Sequence, residues 1–189
     1  MQLPLPKHID TTTILQTIIP SKDVDGFHPI NTGLLSQNHP NAFIPCTPKG
    51  IIRMLKETTP DLTGLNAVVV GRSQIVGIPI AQLLINNNCT VTITHSKTKN
   101  LPSICKTADI LVVAIGKPEF ITSEFIKDGG IIIDVGINRT QSGLKGDVKF
   151  DDAQKLASHI TPVPGGVGPM TIAMLLENTY EAFLKQQHS

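Results

Sequence analysis

The 189-residue sequence contains no tryptophan and one tyrosine, and aromatic residues make up only 4% of it. Proteins that hold single-stranded nucleic acid stack its bases on aromatic side chains. No basic run offsets the shortage, so no nucleic-acid partner is expected. Charge of one sign is also lacking: 16 Lys and Arg stand against 15 Asp and Glu, a formal net charge of +1, which implies no charge-driven partner. The longest apolar runs, such as Ile110 to Ile115, fall far short of the roughly 18 residues of a membrane span. Met1 to Lys7 lacks a basic stretch followed by an apolar one, so neither secretion nor organelle import is signalled and a cytoplasmic location is expected. The three cysteines, Cys46, Cys89 and Cys105, are odd in number and widely spaced, as reduced core thiols are, rather than as a disulfide framework or zinc knuckle. The histidines show no metalloprotease-like spacing, and no metal site is expected.

What is present is a core. Apolar residues make up 40% of the chain and charged residues 16%, with a mean hydropathy of +0.10, values that suit a globular chain of one to two domains. Apolar, β-branched runs recur at Ala67–Val70, Val91–Thr94, Ile110–Ile115, Ile131–Val135 and Ile160–Val163. Such runs are what parallel strands covered on both faces require. Between them the pattern predicts helices at Ile78–Asn86, Asn100–Lys106, Ser123–Lys127 and Asp151–Ser158, hence right-handed crossovers and an α/β, Rossmann-like doubly wound parallel sheet. Two further helices flank this block: Pro48–Glu57, with Thr47 expected as its N-cap, and a long one from about Met170 to Gln186.

Residues 1–45 differ in texture. Six prolines punctuate them, and only Thr11–Ile18 reads as a helix. So short a segment can hardly bury a core alone, and it is expected to be part of a second domain.

Three segments carry candidate chemistry. Gly71-Arg72-Ser73-Gln74-Ile75-Val76-Gly77 lies between a strand and a helix, where a dinucleotide-binding turn presents unpaired amides to a pyrophosphate. It departs from G-x-G-x-x-G, because Arg72-Ser73 stands where the second glycine is expected. Taken alone it is equally a glycine-bounded strand-to-helix turn. The following strand ends in His95-Ser96-Lys97 with no acid, and with Arg72 that end favours NADP, whose 2′-phosphate a carboxylate would repel; the alternative is an ordinary polar strand exit. Thr161 to Thr171 combines three prolines and three glycines before the long helix, either a rigid ligand-facing loop or a connection between domains. Lys22-Asp23-Val24-Asp25-Gly26-Phe27 places two carboxylates beside a glycine, in a solvated turn or a site.

In one order the chain carries Gln2-Leu3-Pro4-Leu5-Pro6, Asp23-Val24-Asp25-Gly26, Pro45-Cys46-Thr47-Pro48, Val70-Gly71-Arg72-Ser73 with Ile75-Val76-Gly77, Asp134-Val135-Gly136-Ile137-Asn138, and Pro164 to Thr171. Together these resemble the bifunctional methylenetetrahydrofolate dehydrogenase / methenyltetrahydrofolate cyclohydrolase family. The resemblance covers essentially the whole chain, and Thr161 to Asn178 is highly specific to that family.

The resemblance implies NADP-dependent oxidation of methylenetetrahydrofolate and hydrolysis of the methenyl product to 10-formyltetrahydrofolate, within the one-carbon metabolism that serves purine biosynthesis. It implies a folate substrate, NADP as cofactor and a homodimer joined through the cofactor domain. It assigns Gly71, Arg72, Ser73, Ser96, Ile137 and Thr171 to the cofactor, with Arg72 and Ser96 near the 2′-phosphate. Asp25 is implied to grip the pterin's amino-amide edge. Gln2 is implied to position the catalytic lysine, and both Gln2 and Asp25 are assigned to catalysis and to substrate. Pro164 and Gly168, with Thr171, are implied to line the cleft between cofactor and folate.

Family members also carry a Tyr-x-x-x-Lys motif ahead of the Q-L-P-L-P segment. Here Tyr180 is followed four places on by Leu184, so the motif does not occur. The expected division is a remainder of a split folate-binding domain at 1–45, completed by the helix at 166–189, around an NADP-binding domain at 46–165. Two functions of different class follow: an enzyme of this family, or a catalytically inactive, truncated NADP-binding module of it.

Overall fold

A computed structural model describes residues 3–187. Helices α1 (Thr11–Thr17), α2 (Pro29–Ser36) and α3 (Cys46–Thr58) precede the sheet. Then follow β1 (Asn66–Val70), α4 (Gly77–Asn86), β2 (Thr90–Thr94), α5 (Leu101–Cys105), β3 (Ile110–Val113) and β4 (Ile131–Asp134). Beyond them come β5 (Asn138–Thr140), β6 (Gly143–Lys145), α6 (Phe150–Ala153), β7 (His159–Ile160) and α7 (Val167–Gln187).

Five strands form one parallel sheet in the order β2-β1-β3-β4-β7, as the α/β reading expects. β1 and β3 are its centre, and Val68, Val69, Ile110 and Val112 are wholly buried. Alternate residues feed two cores. Ala67, Val69, Ile110 and Val112 pack with Ile51, Leu55, Ile80 and Leu84 of α3 and α4. Val68, Val70, Leu111 and Val113 pack with Cys105, Phe125 and Ala153 on the opposite face. Burying each large aliphatic side chain is worth about 1.5–3 kcal/mol, so both faces of the central strands hold the layers together.

α4 shows how local signals agree. Gly77 opens it, and Pro79 sits in the first turn, where its missing N–H has no helical partner to lose. Ile80, Ala81, Leu83 and Leu84 are buried at helical spacing. Asn88 then adopts φ +62°, and the Cys89 N–H returns to the Leu84 carbonyl at 3.0 Å, closing the helix.

Several expected elements differ. α3 begins at Cys46 after Pro45, and Thr47 does not cap it; its hydroxyl pairs with that of Thr171 at 2.9 Å instead. Ser123–Lys127 forms only a single 3₁₀ turn at Ser123–Phe125. The Asp151–Ser158 helix is reduced to α6. The last strand stops at Ile160, because Pro162 and Pro164 offer no N–H to a ladder. α2 and the two-stranded β5–β6 ribbon are additional. α3 and α7 pack along one another, closely enough that a Cβ on Gly50 would meet the Met170 Cβ at 3.2 Å.

Candidate functional site

The chain leaves β1 at Val70 and turns at Gly71 with φ +124°. A Cβ there would collide with the Ala114 carbonyl, so only glycine lets the ends of β1 and β3 approach. This is where the strand order reverses, since β2 lies on one side of β1 and β3 on the other. Doubly wound sheets bind ligands outside the carboxyl ends of their strands at that point. A Cβ on Gly77 would likewise strike the Gly71 carbonyl. Ser73 stands where a second glycine was expected, and its Oγ accepts from the N–H groups of Val76 at 3.2 Å and Gly77 at 3.3 Å. The departure from the glycine pattern therefore gives the turn a side-chain acceptor for two N–H groups at the entry to α4. Arg72 and Ser73 are exposed on this turn.

Val70 pairs in register with Thr94, so Arg72 and Ser96, each two residues further on, lie on neighbouring loops at one sheet end. The loop after β2 is closed on itself. The Thr98 N–H donates to the His95 carbonyl at 2.8 Å, the His95 N–H to Thr98 Oγ1 at 2.9 Å, and the Lys97 N–H to His95 Nδ1 at 3.1 Å. Ser96 and Lys97 are left exposed at its tip. The turn contains no carboxylate, as a 2′-phosphate site requires.

On the other side of the reversal, Ile137 is 62% exposed beyond the end of β4. It lines a recess of about 180 Å³ with Gly136, Leu144, Pro164, Gly165 and Gly168. Asp134 closes the floor of this recess. Burial pushes its carboxyl up to about 6, against the N–H groups of Val148, Asp147 and Gly136, which favour the charge, while nearby Asp147 adds to the rise.

A second cleft, of about 210 Å³, opens between the dinucleotide turn and the N-terminal segment. Ile75 and Val76 form one wall, and Asp25, Phe27, Cys46 and Thr47 the other, with Thr171 of α7 between them. The two neighbouring carboxylates part company here. Asp23 is buried and accepts from the His28 N–H at 2.8 Å and Asn31 Nδ2 at 2.9 Å, which is structural. Asp25 lines the cleft. Gly26 makes that possible at φ +72°, with its Cα so close to the 43–45 backbone that a Cβ would lie 2.6 Å from the Phe43 carbonyl.

The structure thus groups Pro164 and Gly168 with Ile137, and sets Thr171, one helical turn along, beside Asp25. Gln2 lies outside the described residues. Phe27, Thr47, Ile75 and Val76 received no role from the sequence, although each lies inside a motif singled out there. Among the described residues no group of three or more His, Cys, Asp or Glu could hold a metal ion, and no helix is long and apolar enough to cross a membrane.

α3 and α7 carry the second cleft. Lys49 reaches Glu177 at 2.9 Å, Glu181 at 2.9 Å and Asn178 Oδ1 at 2.8 Å. Burial works against the Lys49 charge, but hydrogen bonds and charges from Glu177 and Glu181 outweigh it and raise its pKa. Cys46 is held protonated, pushed up to about 11 by burial and then by the Asp25 charge.

The chain is similar in sequence and in fold to known proteins. Residues 45–187 match the family model described as "Tetrahydrofolate dehydrogenase/cyclohydrolase, NAD(P)-binding domain". The chain is 59% identical over 187 residues to a bifunctional protein FolD of Streptococcus equi subsp. zooepidemicus, covering 98% of this chain and 66% of that one. It is 62% identical over 180 residues to the FolD of Campylobacter curvus, covering 95% and 62% respectively. The chain therefore spans somewhat under two thirds of the length of these relatives. The crystal structure of FolD, a methylenetetrahydrofolate dehydrogenase/cyclohydrolase, from Campylobacter jejuni superposes with a TM-score of 0.95 at 52% identity, over 98% of this chain and 66% of that one. The Trypanosoma brucei enzyme, solved with NADP cofactor and an inhibitor, gives 0.93 at 42% identity, over 100% and 67%. By sequence, by fold and by the glycine-held turn at the sheet reversal, the chain belongs to the tetrahydrofolate dehydrogenase/cyclohydrolase family.

Proposed function

We propose that the chain binds NADP and a folate and serves in the oxidation of methylenetetrahydrofolate to methenyltetrahydrofolate and its hydrolysis to 10-formyltetrahydrofolate. The observation that carries this is the second cleft, where Asp25 and Thr171 face the dinucleotide turn at Ile75 and Val76. A folate held by Asp25 there lies against whatever the turn binds.

The fit to NADP rests on the tight turn that Gly71 and Gly77 permit, where a Cβ would strike the Ala114 and Gly71 carbonyls, and on the acid-free Ser96 loop beside Arg72. When bound, NADP⁺ supplies an electrophilic nicotinamide carbon that accepts a hydride from the methylene carbon. Arg72 and Ser96 hold the 2′-phosphate, Gly71 and Ser73 shape the pyrophosphate turn, and Ile137 packs on the nicotinamide end. Asp25 accepts two N–H groups of the pterin in a charge-assisted pair. Gln2 is assigned to positioning the family's catalytic lysine, whose Tyr-x-x-x-Lys motif this sequence does not contain, and Pro164, Gly168 and Thr171 line the cleft between the two ligands. By this reading residues 46–165 form the cofactor domain, and 1–45 with 166–189 form the folate side. That division is supported by Asn178 of α7, which bonds the Val24 and Ile44 carbonyls.

A homodimer formed through the cofactor domain, a cytoplasmic location and service to purine biosynthesis complete the reading. The exposed edge strand β2, with Ile93 39% exposed, is the surface in the cofactor domain that such pairing would cover; sedimentation at a monomer's mass would contradict it.

The experiment is an assay of NADPH formation from NADP⁺ and methylenetetrahydrofolate, run beside NADP⁺ titration. Turnover with binding supports the enzyme. NADP⁺ binding without turnover supports the cofactor-binding module, and absence of both overturns the proposal.

A further inference from the structure

Asp134 and Asp147 are buried to 3% and 0% exposure and belong to none of the roles assigned above. Between them they accept seven hydrogen bonds. Asp147 Oδ2 takes the N–H groups of Ile115 at 2.7 Å and Gly116 at 2.9 Å; its Oδ1 takes the Lys117 N–H at 2.8 Å and Asn138 Nδ2 at 2.9 Å. Asp134 Oδ1 takes the N–H groups of Gly136 and Asp147, both at 2.9 Å, and its Oδ2 that of Val148, also at 2.9 Å. Two glycines make room for the carboxylates: a Cβ on Gly136 would strike Asp147, and one on Gly146 would strike Asp134.

Burying two like charges side by side is costly unless donors saturate them, so this arrangement needs a reason beyond filling space. The donors come from three segments: the exit of β3 at 115–117, the exit of β4 at 136–138, and the return of the β5–β6 ribbon at 147–148. Ile137 sits in the middle of this set, more than half exposed, so apolar packing cannot fix its position. A two-stranded ribbon is itself marginally stable. The pair of carboxylates ties this segment to the exits of β3 and β4.

These exits lie across the sheet reversal from Ser96. A dinucleotide whose 2′-phosphate end rests at β2 extends its other half over β3 and β4. We propose that Asp134 and Asp147 are positioning residues for the nicotinamide half of the cofactor, holding the loops that carry Ile115 and Ile137 in register with the Gly71 turn. The proposal rests on the NADP reading of the site.

The test separates the two halves of the ligand. NADP⁺ and 2′,5′-ADP, which lacks the nicotinamide half, are titrated against wild type, Asp147→Asn and Asn138→Ala. Asp147→Asn replaces an acceptor oxygen with a donor that faces N–H groups, and NADP⁺ affinity should fall roughly tenfold or more, while 2′,5′-ADP affinity stays unchanged. Asn138→Ala removes one of seven donors and leaves both acids in place, so it keeps the fold; it should weaken NADP⁺ in the same selective way by a smaller factor. Equal weakening of both ligands, or unchanged NADP⁺ affinity in Asn138→Ala, overturns the proposal. Failure of the wild type to bind either ligand instead overturns the NADP reading on which it stands.

Discussion

The Asn178 side-chain amide donates to the Val24 carbonyl at 2.8 Å, joining α7 to the residue immediately before Asp25. The same buried amide donates to the Ile44 carbonyl at 2.9 Å and accepts from Lys49 Nζ at 2.8 Å. One side chain thus fixes the Asp25 loop, the entry to α3 and the lysine that pins α3 to α7. Replacing it with alanine strands the Val24 and Ile44 carbonyls and leaves Lys49 with Glu177 and Glu181 alone, and an unsatisfied buried polar group costs about 1–3 kcal/mol. Asn178→Ala should lower stability by at least that much in urea unfolding, and should weaken folate binding while NADP⁺ affinity holds. A variant as stable as wild type would remove Asn178 from this role.

Asp25→Asn should cripple folate binding and leave NADP⁺ binding intact. An asparagine amide presents a donor to the pterin's own donors, so the variant loses a charge-assisted bond and gains a repulsive contact. Titration with tetrahydrofolate reads this directly, and unchanged affinity would return Asp25 to an ordinary turn.

The parallel sheet was legible in the sequence because strands buried on both faces must be apolar throughout, as Val68 to Val70 and Ile110 to Val113 are. α4 was legible because its glycine, its apolar spacing and its closing Asn88 agree. The α2 helix was hidden: it opens at Pro29 beside a proline-rich stretch, and its cap is His28, whose Nδ1 accepts the Ile30 N–H at 3.1 Å. Thr47 looked like an N-cap from its place before Pro48, yet its partner is Thr171, 124 residues away, a contact no local pattern reveals. Spacing alone does not separate Asp23 from Asp25; the family resemblance singles out Asp25, and the physical difference between the two is that Asp23 is buried while Asp25 lines the cleft.

The three thiols should be inert in the native protein. Burial raises all of them, Cys46 to about 11 and Cys105 to about 12, so the reactive thiolate is scarce at neutral pH. A chromogenic disulfide reagent should titrate none rapidly until denaturant is added. Fast labelling of any one would show that its surroundings are looser than described.

Asp134 should make stability depend on pH in an unusual direction. Its carboxyl is raised to about 6 from 3.8 chiefly by burial, so between those values the folded state holds more protons than the unfolded chain. Its contribution to stability is therefore present at low pH and lost as pH rises through 6. Asp147 is the charged group packed against it, and Glu119, Lys145 and Asp151 line, together with Asp134, a further recess beside the β5–β6 ribbon. Melting of wild type and Asp134→Asn across pH 4 to 7 should show the wild type losing ground to the variant as pH rises; a constant difference would contradict the assignment.

Whether the Gly71 turn and the Ser96 loop form an NADP site is read by calorimetric titration of NADP⁺ and NAD⁺ against wild type and Arg72→Ala. A charge-assisted hydrogen bond is worth about 1.5–3 kcal/mol, roughly a ten- to hundredfold change in affinity. The wild type should prefer NADP⁺, and Arg72→Ala should lose that factor for NADP⁺ with NAD⁺ nearly unchanged. Equal affinity of the wild type for the two dinucleotides, or equal weakening of both by Arg72→Ala, would mean that these loops do not hold a 2′-phosphate.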